Sequence, residues 1–218
     1  MDGDAVALGH IEQGLRIVAS VAIANETYFC DLDAEGGDAD FGKSLATGFR
    51  AILNEFDHID RSDIGTFLLK VGMIFSAHVG GTSGPVWGTA FMRAGNSSKG
   101  KKSLTLSNLA QMGNNAIQGI MARGGASAGD KTMLDALIPA VAKIEEFSRN
   151  DTADFGEALR AASRAARASV EQTRQWPAKR GRQSYSSERT IGTLDPGIVA
   201  IALMLEALVA QLIVVTES

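Results

Sequence analysis

The sequence predicts an all-α protein that folds as a single domain. Apolar residues make up 45% of the 218 residues, enough to build one sizeable core. Only four residues are proline, whereas residues that favour helices, such as alanine, leucine and glutamate, are plentiful. Apolar positions recur at helical spacing in segment after segment, and no segment is a convincing strand. Because no repeat or linker marks a boundary, we expect one domain over residues 1–218.

Four helices are predicted in the first half of the chain, at 6–29, 42–56, 62–78 and 84–95. Apolar residues follow one another at intervals of three or four positions in the first three of them. These residues include Leu8, Ile11, Leu15, Val18, Leu45, Phe49, Ile52, Phe56, Ile64, Phe67, Leu68 and Val71. The glycine-rich segment VGGTSGP then interrupts the pattern, and the fourth helix resumes after it.

Four further helices are predicted at about 105–122, 131–148, 152–172 and 196–215. Ser103 lies in the N-cap zone of the first of these, and the segment RGGASAGD ends it. Pro196 suits the first turn of the last helix. The segment 173–195 is polar and basic and has no helical periodicity, so we expect a long loop there. Loops on a rigid helical scaffold are the usual location of functional residues.

The composition also excludes several classes of protein. The net charge of −4 argues against a nucleic-acid binder, and the single cysteine rules out a disulfide framework or a cysteine-rich zinc site. The N-terminal MDGDAVALGH carries acids where a signal peptide would carry lysine or arginine. The most apolar run, 196–216, is interrupted by Glu206 and Gln211 and is not expected to span a membrane. We therefore expect a soluble, cytoplasmic protein that binds neither nucleic acid nor membrane.

Charge is distributed unevenly along the chain. Residues 1–60 contain twelve acids and three bases, whereas residues 174–189 contain five bases and one acid. If these segments meet in the fold, acids and bases face each other across a cleft, which suits a metal on one side and an anion on the other. The alternative is that both are solvated surface segments.

Three aspartates lie within eight residues in the segment LDAEGGDADFG: Asp33, Asp38 and Asp40. Glycines between them permit tight turns. Clustered carboxylates repel one another, and hard cations that prefer oxygen ligands, Mg²⁺ or Ca²⁺, are the natural occupants of such a cluster. The pattern is not that of an EF-hand, because the evenly spaced ligands and the closing glutamate are missing. Taken alone, the segment is either a metal site or a solvated acidic loop.

A second candidate is the segment from Gly80 to Gly84, which opens a helix. Free N–H groups at a helix start, together with the hydroxyls of Thr82 and Ser83, would form an anion site. No Gly-Lys-Ser/Thr sequence follows, so the segment is not a P-loop. The alternative is an ordinary turn between helices with a hydroxyl cap.

Three further segments carry residues suited to binding a ligand. In the segment from Gly129 to Met133, Thr132 and Met133 lie where a first helical turn would touch a ligand. The alternative for this segment is structural, with Asp130 as a simple N-cap and Lys131 as a solvated side chain. The Arg180-Gly181-Arg182 segment offers arginines that clamp phosphate, or else an exposed basic loop. Asp195-Pro196-Gly197 signals a turn and a helix start.

Taken in order, these motifs resemble the nucleotide-binding L subunit of dihydroxyacetone kinase. The resemblance covers nearly the whole chain and depends on six segments: LDAEGGDADFG, VGGTSGPVWGTAFMRA, SLTL, ARGGASAGDKTMLDAL, KRGRQSY and ERTIGTLDPG. Each segment is weak evidence alone, but six in this order are specific. The resemblance implies a barrel of about eight antiparallel helices with the nucleotide, ADP or ATP, bound by the loops at one end.

The resemblance also implies roles for individual residues. Asp33, Asp38 and Asp40 would hold two Mg²⁺ ions, and the glycine-rich turn would contact phosphates. The implied nucleotide contacts are Phe41, Ser44, Gly81, Thr82, Ser83, Thr132, Met133, Arg182, Asp195 and Pro196. No general base is expected, because phosphoryl transfer depends on positioning and charge stabilisation. The sugar would be held on a separate K-type subunit, so this chain is expected to be inactive without that partner.

Two positions depart from the family pattern. Phosphoprotein-dependent L subunits typically have histidine and asparagine where this chain has Phe41 and Ser44. A small hydroxyl residue at the second position is frequent in ATP-dependent relatives. The phosphoryl donor is therefore either ATP or a phosphocarrier protein of the sugar phosphotransferase system, and the acceptor is dihydroxyacetone or a related keto-sugar such as a tetrulose. The alternative function is a non-catalytic sensor of nucleotide or phosphorylation state that binds a regulatory partner.

Overall fold

The computed structural model describes residues 5–150 and 153–213, and helices dominate both stretches. This confirms the prediction of an all-α fold. The helices are α1 (Leu8–Ala24), α2 (Glu26–Ala34), α3 (Phe41–Glu55), α4 (Ile64–His78), α5 (Ser83–Ser97), α6 (Leu106–Gly124), α7 (Leu134–Phe147), α8 (Phe155–Gln172) and α9 (Pro196–Leu208). Two strands of two residues, which the sequence did not indicate, pair antiparallel: β1 (Val6–Ala7) and β2 (Ser103–Leu104).

The predicted first helix, 6–29, is divided in two at Asn25. The backbone of Asn25 leaves helical geometry (φ −102°, ψ 16°), and its side-chain amide donates to the carbonyl of Val21 at 2.9 Å. Asparagine competes for backbone hydrogen bonds in this way, which is why it disfavours helix interiors. The break changes the direction of the chain at the start of α2, whose last turn leads into residues 35–40, the acidic loop.

The remaining boundaries differ from the prediction mainly near the ends. Helix α7 begins at Leu134 rather than at 131, and a short π-helix, Val209–Ile213, follows α9. A 3-10 helix, Arg182–Thr190, lies within the expected loop 173–195. The predicted starting position 152 and the predicted end of the last helix, 214–215, lie outside the described residues, as do the termini of the predicted domain 1–218.

Eight helices form a closed ring in which each packs against the next: α1, α3, α4, α5, α6, α7, α8 and α9, with α9 returning to α1. Helix α2 packs on α3 and α9. The apolar faces meet in one core, where Phe49 contacts Phe75 and Trp87 edge to face at centroid distances of 5.5 and 6.3 Å. In the described part of the chain, no helix is both long enough and apolar enough to cross a membrane.

Successive helices in the ring run in opposite directions, so their connections alternate between its two ends. The α2–α3, α4–α5, α6–α7 and α8–α9 connections therefore share one end. These are the four segments that carry the predicted site residues. The short strands β1 and β2 lie at the opposite end.

Candidate functional site

Asp33 organises the acidic loop from the last turn of α2. Its side chain is buried, and its Oδ2 accepts hydrogen bonds from the backbone N–H groups of Asp40 at 3.1 Å and Phe41 at 3.4 Å. The backbone N–H of Gly37 donates to the carbonyl of Asp33 at 2.6 Å. A carboxylate that accepts backbone donors at a helix start is favourable. Asp33 therefore fixes both the turn of the loop and the start of α3.

The three aspartates converge in space. Each of Asp33, Asp38 and Asp40 offers a carboxylate oxygen, and these oxygens lie within 4.8 Å of one another. Ala39, between the last two, has a φ of +59°, a left-handed conformation that turns the chain sharply. Partial desolvation raises the pKa of Asp40 although its side chain is largely exposed, the charges of Asp38 and Asp33 raise it further, and Arg182 opposes the rise. Mutual repulsion of this kind is relieved by a bound cation.

The basic segment, residues 174–189, contacts the acidic loop, and the charges of the two are complementary. Arg182 Nη1 lies 3.0 Å from Asp38 Oδ2 in an ion pair, and the Gln183 amide donates to Asp33 Oδ1 at 3.4 Å. Arg182 remains 69% exposed on its side chain, so it is available to a ligand beside the carboxylates. The site thus places one arginine at the edge of three carboxylates.

The alternative interpretation of Asp130 as an N-cap and of Lys131 as a solvated side chain is wrong. Helix α7 begins only at Leu134, and Asp130 accepts from the Ser127 N–H and from Arg180 Nε, both at 2.9 Å. Lys131 is 1% exposed rather than solvated. Its φ of +59° belongs to a left-handed turn, and its ammonium is surrounded by backbone carbonyls that replace water. The segment packs against 174–193 instead of facing solvent.

The glycine-rich turn opens α5 at the same end of the ring. Gly81 has a φ of +64°, which glycine adopts readily, and Thr82 is exposed directly before the first helical residue, Ser83. Thr82 makes no side-chain cap to the helix. Backbone N–H groups at this helix start are therefore oriented towards the end of the ring that carries the acidic loop.

The other predicted contacts also lie at this end. Phe41 and Ser44 form the first turn of α3 and are half-buried. Thr132 and Met133 precede α7; Met133 is buried, and a Cβ placed on Gly197 would lie 3.2 Å from the Met133 Cβ. The turn before α9 therefore packs directly on the 129–133 segment. Asp195 caps α9 by accepting the Ile198 N–H at 2.8 Å, and Pro196 is buried.

Asp195 makes the stability of the protein depend on pH. Burial raises its pKa to about 7, although the N–H groups of Ile198 and Gly197 and the charge of Lys131 oppose the rise. The folded protein keeps this proton at pH values where the unfolded chain, whose aspartate pKa is about 3.9, has lost it. Asp195 therefore lowers the free energy of unfolding as the pH rises from about 4 to about 7.

We expect Asp195→Asn to remove this slope, because asparagine caps helices as well as aspartate and does not titrate. The measurement is urea unfolding of both proteins between about pH 4.5 and about pH 8. The stability of the wild type relative to the variant should decline across this interval. A constant difference would contradict an elevated pKa for Asp195.

Three contacts escaped prediction from the sequence: that of Gln183 with Asp33, that of Arg180 with Asp130, and the burial of Lys131 among carbonyls. The charge asymmetry between 1–60 and 174–189 indicated that the two segments might face each other, but it did not identify the contacting residues. Glutamine carries no charge signal, and a lysine after a glycine turn is normally exposed. Only the tertiary contacts reveal these roles.

Comparisons with known proteins identify the family. The DAK2 domain model matches residues 35–210. The chain is 39% identical over 181 residues to the PEP-dependent dihydroxyacetone kinase, ADP-binding subunit DhaL, of Escherichia coli (strain K12), covering 83% of this chain and 86% of that protein. It is 36% identical over 196 residues to the corresponding subunit of kinase 2 of Listeria innocua serovar 6a (strain ATCC BAA-680 / CLIP 11262), covering 89% and 88%.

A solved structure has the same fold. It is the dihydroxyacetone kinase of C. freundii in complex with AMP-PNP and Mg²⁺, which superposes with a TM-score of 0.72 at 26% identity. The match covers 96% of this chain and 35% of that one, so this chain spans about a third of the larger protein. On the family match and the relatives together, this chain belongs to the DAK2 domain family.

Proposed function

We propose that this chain is the nucleotide-binding subunit of a dihydroxyacetone-kinase-like phosphotransferase. It would pass a phosphoryl group from Mg²⁺-bound nucleotide to dihydroxyacetone, or to a related keto-sugar, held on a separate K-type subunit. The observation that carries the proposal is the convergence of Asp33, Asp38 and Asp40 within 4.8 Å, with Arg182 paired to Asp38. The names of the relatives, which are ADP-binding subunits, support it.

The residues present fit Mg²⁺. All three ligands offer hard oxygen atoms whose carboxylates lie close enough to repel one another, and a cation would relieve that repulsion. Asp33 is already held by backbone donors, so little reorganisation is needed when a metal binds. When bound, Mg²⁺ neutralises charge on phosphate oxygens and orients them. The family resemblance implies two ions, and we propose that number here.

The chain's own groups would hold the rest of the nucleotide. Backbone N–H groups of Gly81, Thr82 and Ser83 would donate to phosphate oxygens at the start of α5. Arg182 would add a charged donor beside the metal-binding carboxylates. The remaining proposed contacts flank the nucleotide: Phe41, Ser44, Thr132, Met133, Asp195 and Pro196. No side chain is assigned as a general base, and rate enhancement would come from positioning and charge.

The relatives' names, PEP-dependent and ADP-binding, favour phosphoenolpyruvate as the ultimate donor and ADP as the bound nucleotide. A phosphocarrier protein would then recharge the ADP. Phe41 and Ser44 differ from the pattern expected of that group, which leaves exchangeable ATP as the competing donor. An assay of this chain with a K-type subunit and ATP alone distinguishes them. Sustained turnover without a phosphocarrier identifies ATP as the donor, and turnover only with the phosphocarrier identifies ADP recharging.

The proposal is tested by calorimetric titration of ADP and ATP with and without Mg²⁺, followed by kinase assays. We expect nucleotide binding that requires Mg²⁺, no phosphorylation of dihydroxyacetone by this chain alone, and turnover after addition of a K-type subunit. Binding unaffected by Mg²⁺ would contradict the metal assignment. Absence of turnover with every K-type partner and donor would favour the non-catalytic sensor instead.

A further inference from the structure

Lys131 is a buried lysine whose ammonium is enclosed by backbone carbonyls. Its Nζ donates to the carbonyl oxygens of Thr190 at 2.5 Å, Trp176 at 3.0 Å, Thr193 at 3.1 Å and Arg174 at 3.3 Å. All four acceptors lie in one stretch of twenty residues, 174–193. A cluster of carbonyl oxygens of this kind replaces the hydration shell of a monovalent cation. The ammonium therefore occupies the centre of a carbonyl cage.

The Lys131 side chain is directed inward by its backbone. Its φ of +59° is unfavourable for a residue with a Cβ and persists only when surrounding contacts impose it. Those contacts come from the neighbouring segment: Arg180 Nε donates to the Asp130 carboxylate at 2.9 Å, and the Lys179 N–H donates to the Asp130 carbonyl at 3.0 Å. The segment 129–131 and the segment 174–193 thus fix one another at several points.

The caged segment extends to the carboxylate cluster. Thr190, whose carbonyl accepts from Lys131, packs so closely on the acidic loop that a Cβ on Gly36 would lie 2.8 Å from its methyl group. In the same 3-10 helix, Gln183 donates to Asp33 and Arg182 pairs with Asp38. Contacts therefore connect the ammonium of Lys131 to two of the three aspartates through a single stretch of chain.

A direct role for Lys131 in binding phosphate does not fit this geometry. The residue is 1% exposed, and its three ammonium protons are shared among four carbonyl oxygens. No proton remains for a ligand, and solvent does not reach the side chain. Its effect on a nucleotide must act through the segment that it organises.

We propose that Lys131 is a positioning residue: its ammonium is a built-in cation about which residues 174–193 fold, and this holds Arg182 and Gln183 against the acidic loop. Loss of the ammonium leaves buried carbonyls unpaired, so the segment loosens while the helical ring persists. The effect on nucleotide affinity rests on the proposed function, whereas the effect on the segment itself does not.

The test is Lys131→Ala, which opens the cage, compared with Lys131→Met, which fills it without charge. We expect faster hydrogen exchange in 174–193 for both variants, and Mg²⁺–ADP affinity about 10–100-fold weaker, as for other lost supporting contacts. Ammonium chloride should restore exchange protection and affinity in Lys131→Ala. Tetramethylammonium chloride at equal ionic strength, which is too large for the cage, should not, and Lys131→Met should respond to neither salt.

Lys179→Ala is the matched control. It removes the same charge from a contact between the same two segments, but Lys179 is exposed and donates to only one carbonyl, that of Gly129. We expect nearly wild-type exchange and affinity, because water replaces an exposed contact. Should Lys131→Ala fail to fold in plain buffer, recovery of its helical circular dichroism with ammonium supports the proposal, and no recovery overturns it.

Three results overturn the proposal: wild-type exchange in 174–193 for Lys131→Ala, weaker affinity without faster exchange there, or loosened exchange that ammonium does not reverse. A different result concerns only the proposed function. If wild type does not bind Mg²⁺–ADP, but ammonium still restores exchange protection in Lys131→Ala, the role of Lys131 stands and the nucleotide assignment fails.

Discussion

Replacement of Asp40 by asparagine is expected to weaken Mg²⁺-dependent ADP binding by about 100-fold, because a charged ligand contact is worth about 2–3 kcal/mol. Asp40 is the most informative of the three aspartates to change. Asp33 also holds the acidic loop through two backbone N–H groups, and Asp38 pairs with Arg182. Asp40 makes no side-chain cap to α3, and its side-chain hydrogen bond is to Asp38, to which an asparagine amide can also donate, so the substitution chiefly removes a charge.

The same substitution should stabilise the protein in the absence of metal. The neighbouring charges that help to raise the pKa of Asp40 are repulsive, and asparagine removes its share of that repulsion. The gain should be only a few tenths of a kcal/mol, because Asp40 is exposed and solvent screens its charge. Opposite signs for affinity and stability distinguish a metal site from a loop whose charges merely stabilise the fold.

Asp31→Asn provides the matched control for Asp40→Asn. Asp31 is exposed on α2, two residues before Asp33, and the substitution removes the same charge from the same region. We expect its Mg²⁺–ADP affinity to stay within about twofold of wild type, because long-range screened charges contribute little. Calorimetric titration with Mg²⁺, and thermal unfolding without it, measure both effects. Equal affinity in Asp40→Asn and wild type would exclude the carboxylate cluster as the metal site.

The fold was largely predictable because helical periodicity is strong in each helix. Leu45, Phe49 and Ile52, which the spacing assigned to one apolar face, are all fully buried in α3. The broken first helix was not predictable, because the apolar pattern continues through Asn25 and the break depends on a single side-chain hydrogen bond. Helix propensities do not show at which asparagine a side-chain hydrogen bond to the backbone will end the helix.

The site was predictable as a set of segments and not as a set of contacts. The clustered aspartates are a local pattern, which indicated Asp33, Asp38 and Asp40 as one group, and their carboxylates do converge in the fold. Lys131 was misjudged because burial of a lysine depends on carbonyls up to 62 residues away in sequence. Contacts of that range arise from the closure of the helical ring, which no local pattern contains.

Replacement of Gly72 by alanine is expected to destabilise the fold by about 3 kcal/mol, the upper part of the usual range for overpacking. Helices α4 and α5 approach each other closely along two glycine pairs, Gly72 with Gly88 and Gly65 with Gly95. A Cβ on Gly72 would lie 2.6 Å from the Gly88 carbonyl oxygen and 2.9 Å from the Met92 nitrogen. Both are backbone atoms, so the helices must separate rather than a side chain rotate.

The glycine pairs have consequences for the site because α5 begins at the turn that is proposed to bind phosphate. Separation of α4 from α5 would shift the N–H groups of Gly81, Thr82 and Ser83, so Mg²⁺–ADP affinity should fall together with stability. The seven-residue spacing of Gly65 and Gly72, repeated in Gly88 and Gly95, is visible in the sequence. The sequence does not show that these glycines lie at a helix contact, because glycines at that spacing also occur where a helix is exposed.

Gly9→Ala separates the effect of close packing from the effect of helix propensity. Gly9 also lies in a helix, α1, but a Cβ there would meet nothing within 4 Å. Alanine at position 9 should therefore stabilise the protein, by up to about 1 kcal/mol from propensity alone. We expect urea unfolding to give a lower free energy of unfolding for Gly72→Ala and a higher one for Gly9→Ala, because only the first substitution forces α4 and α5 apart. A gain in stability for Gly72→Ala would mean that α4 and α5 separate at no cost. Close packing of these helices would then not position the turn that is proposed to bind phosphate.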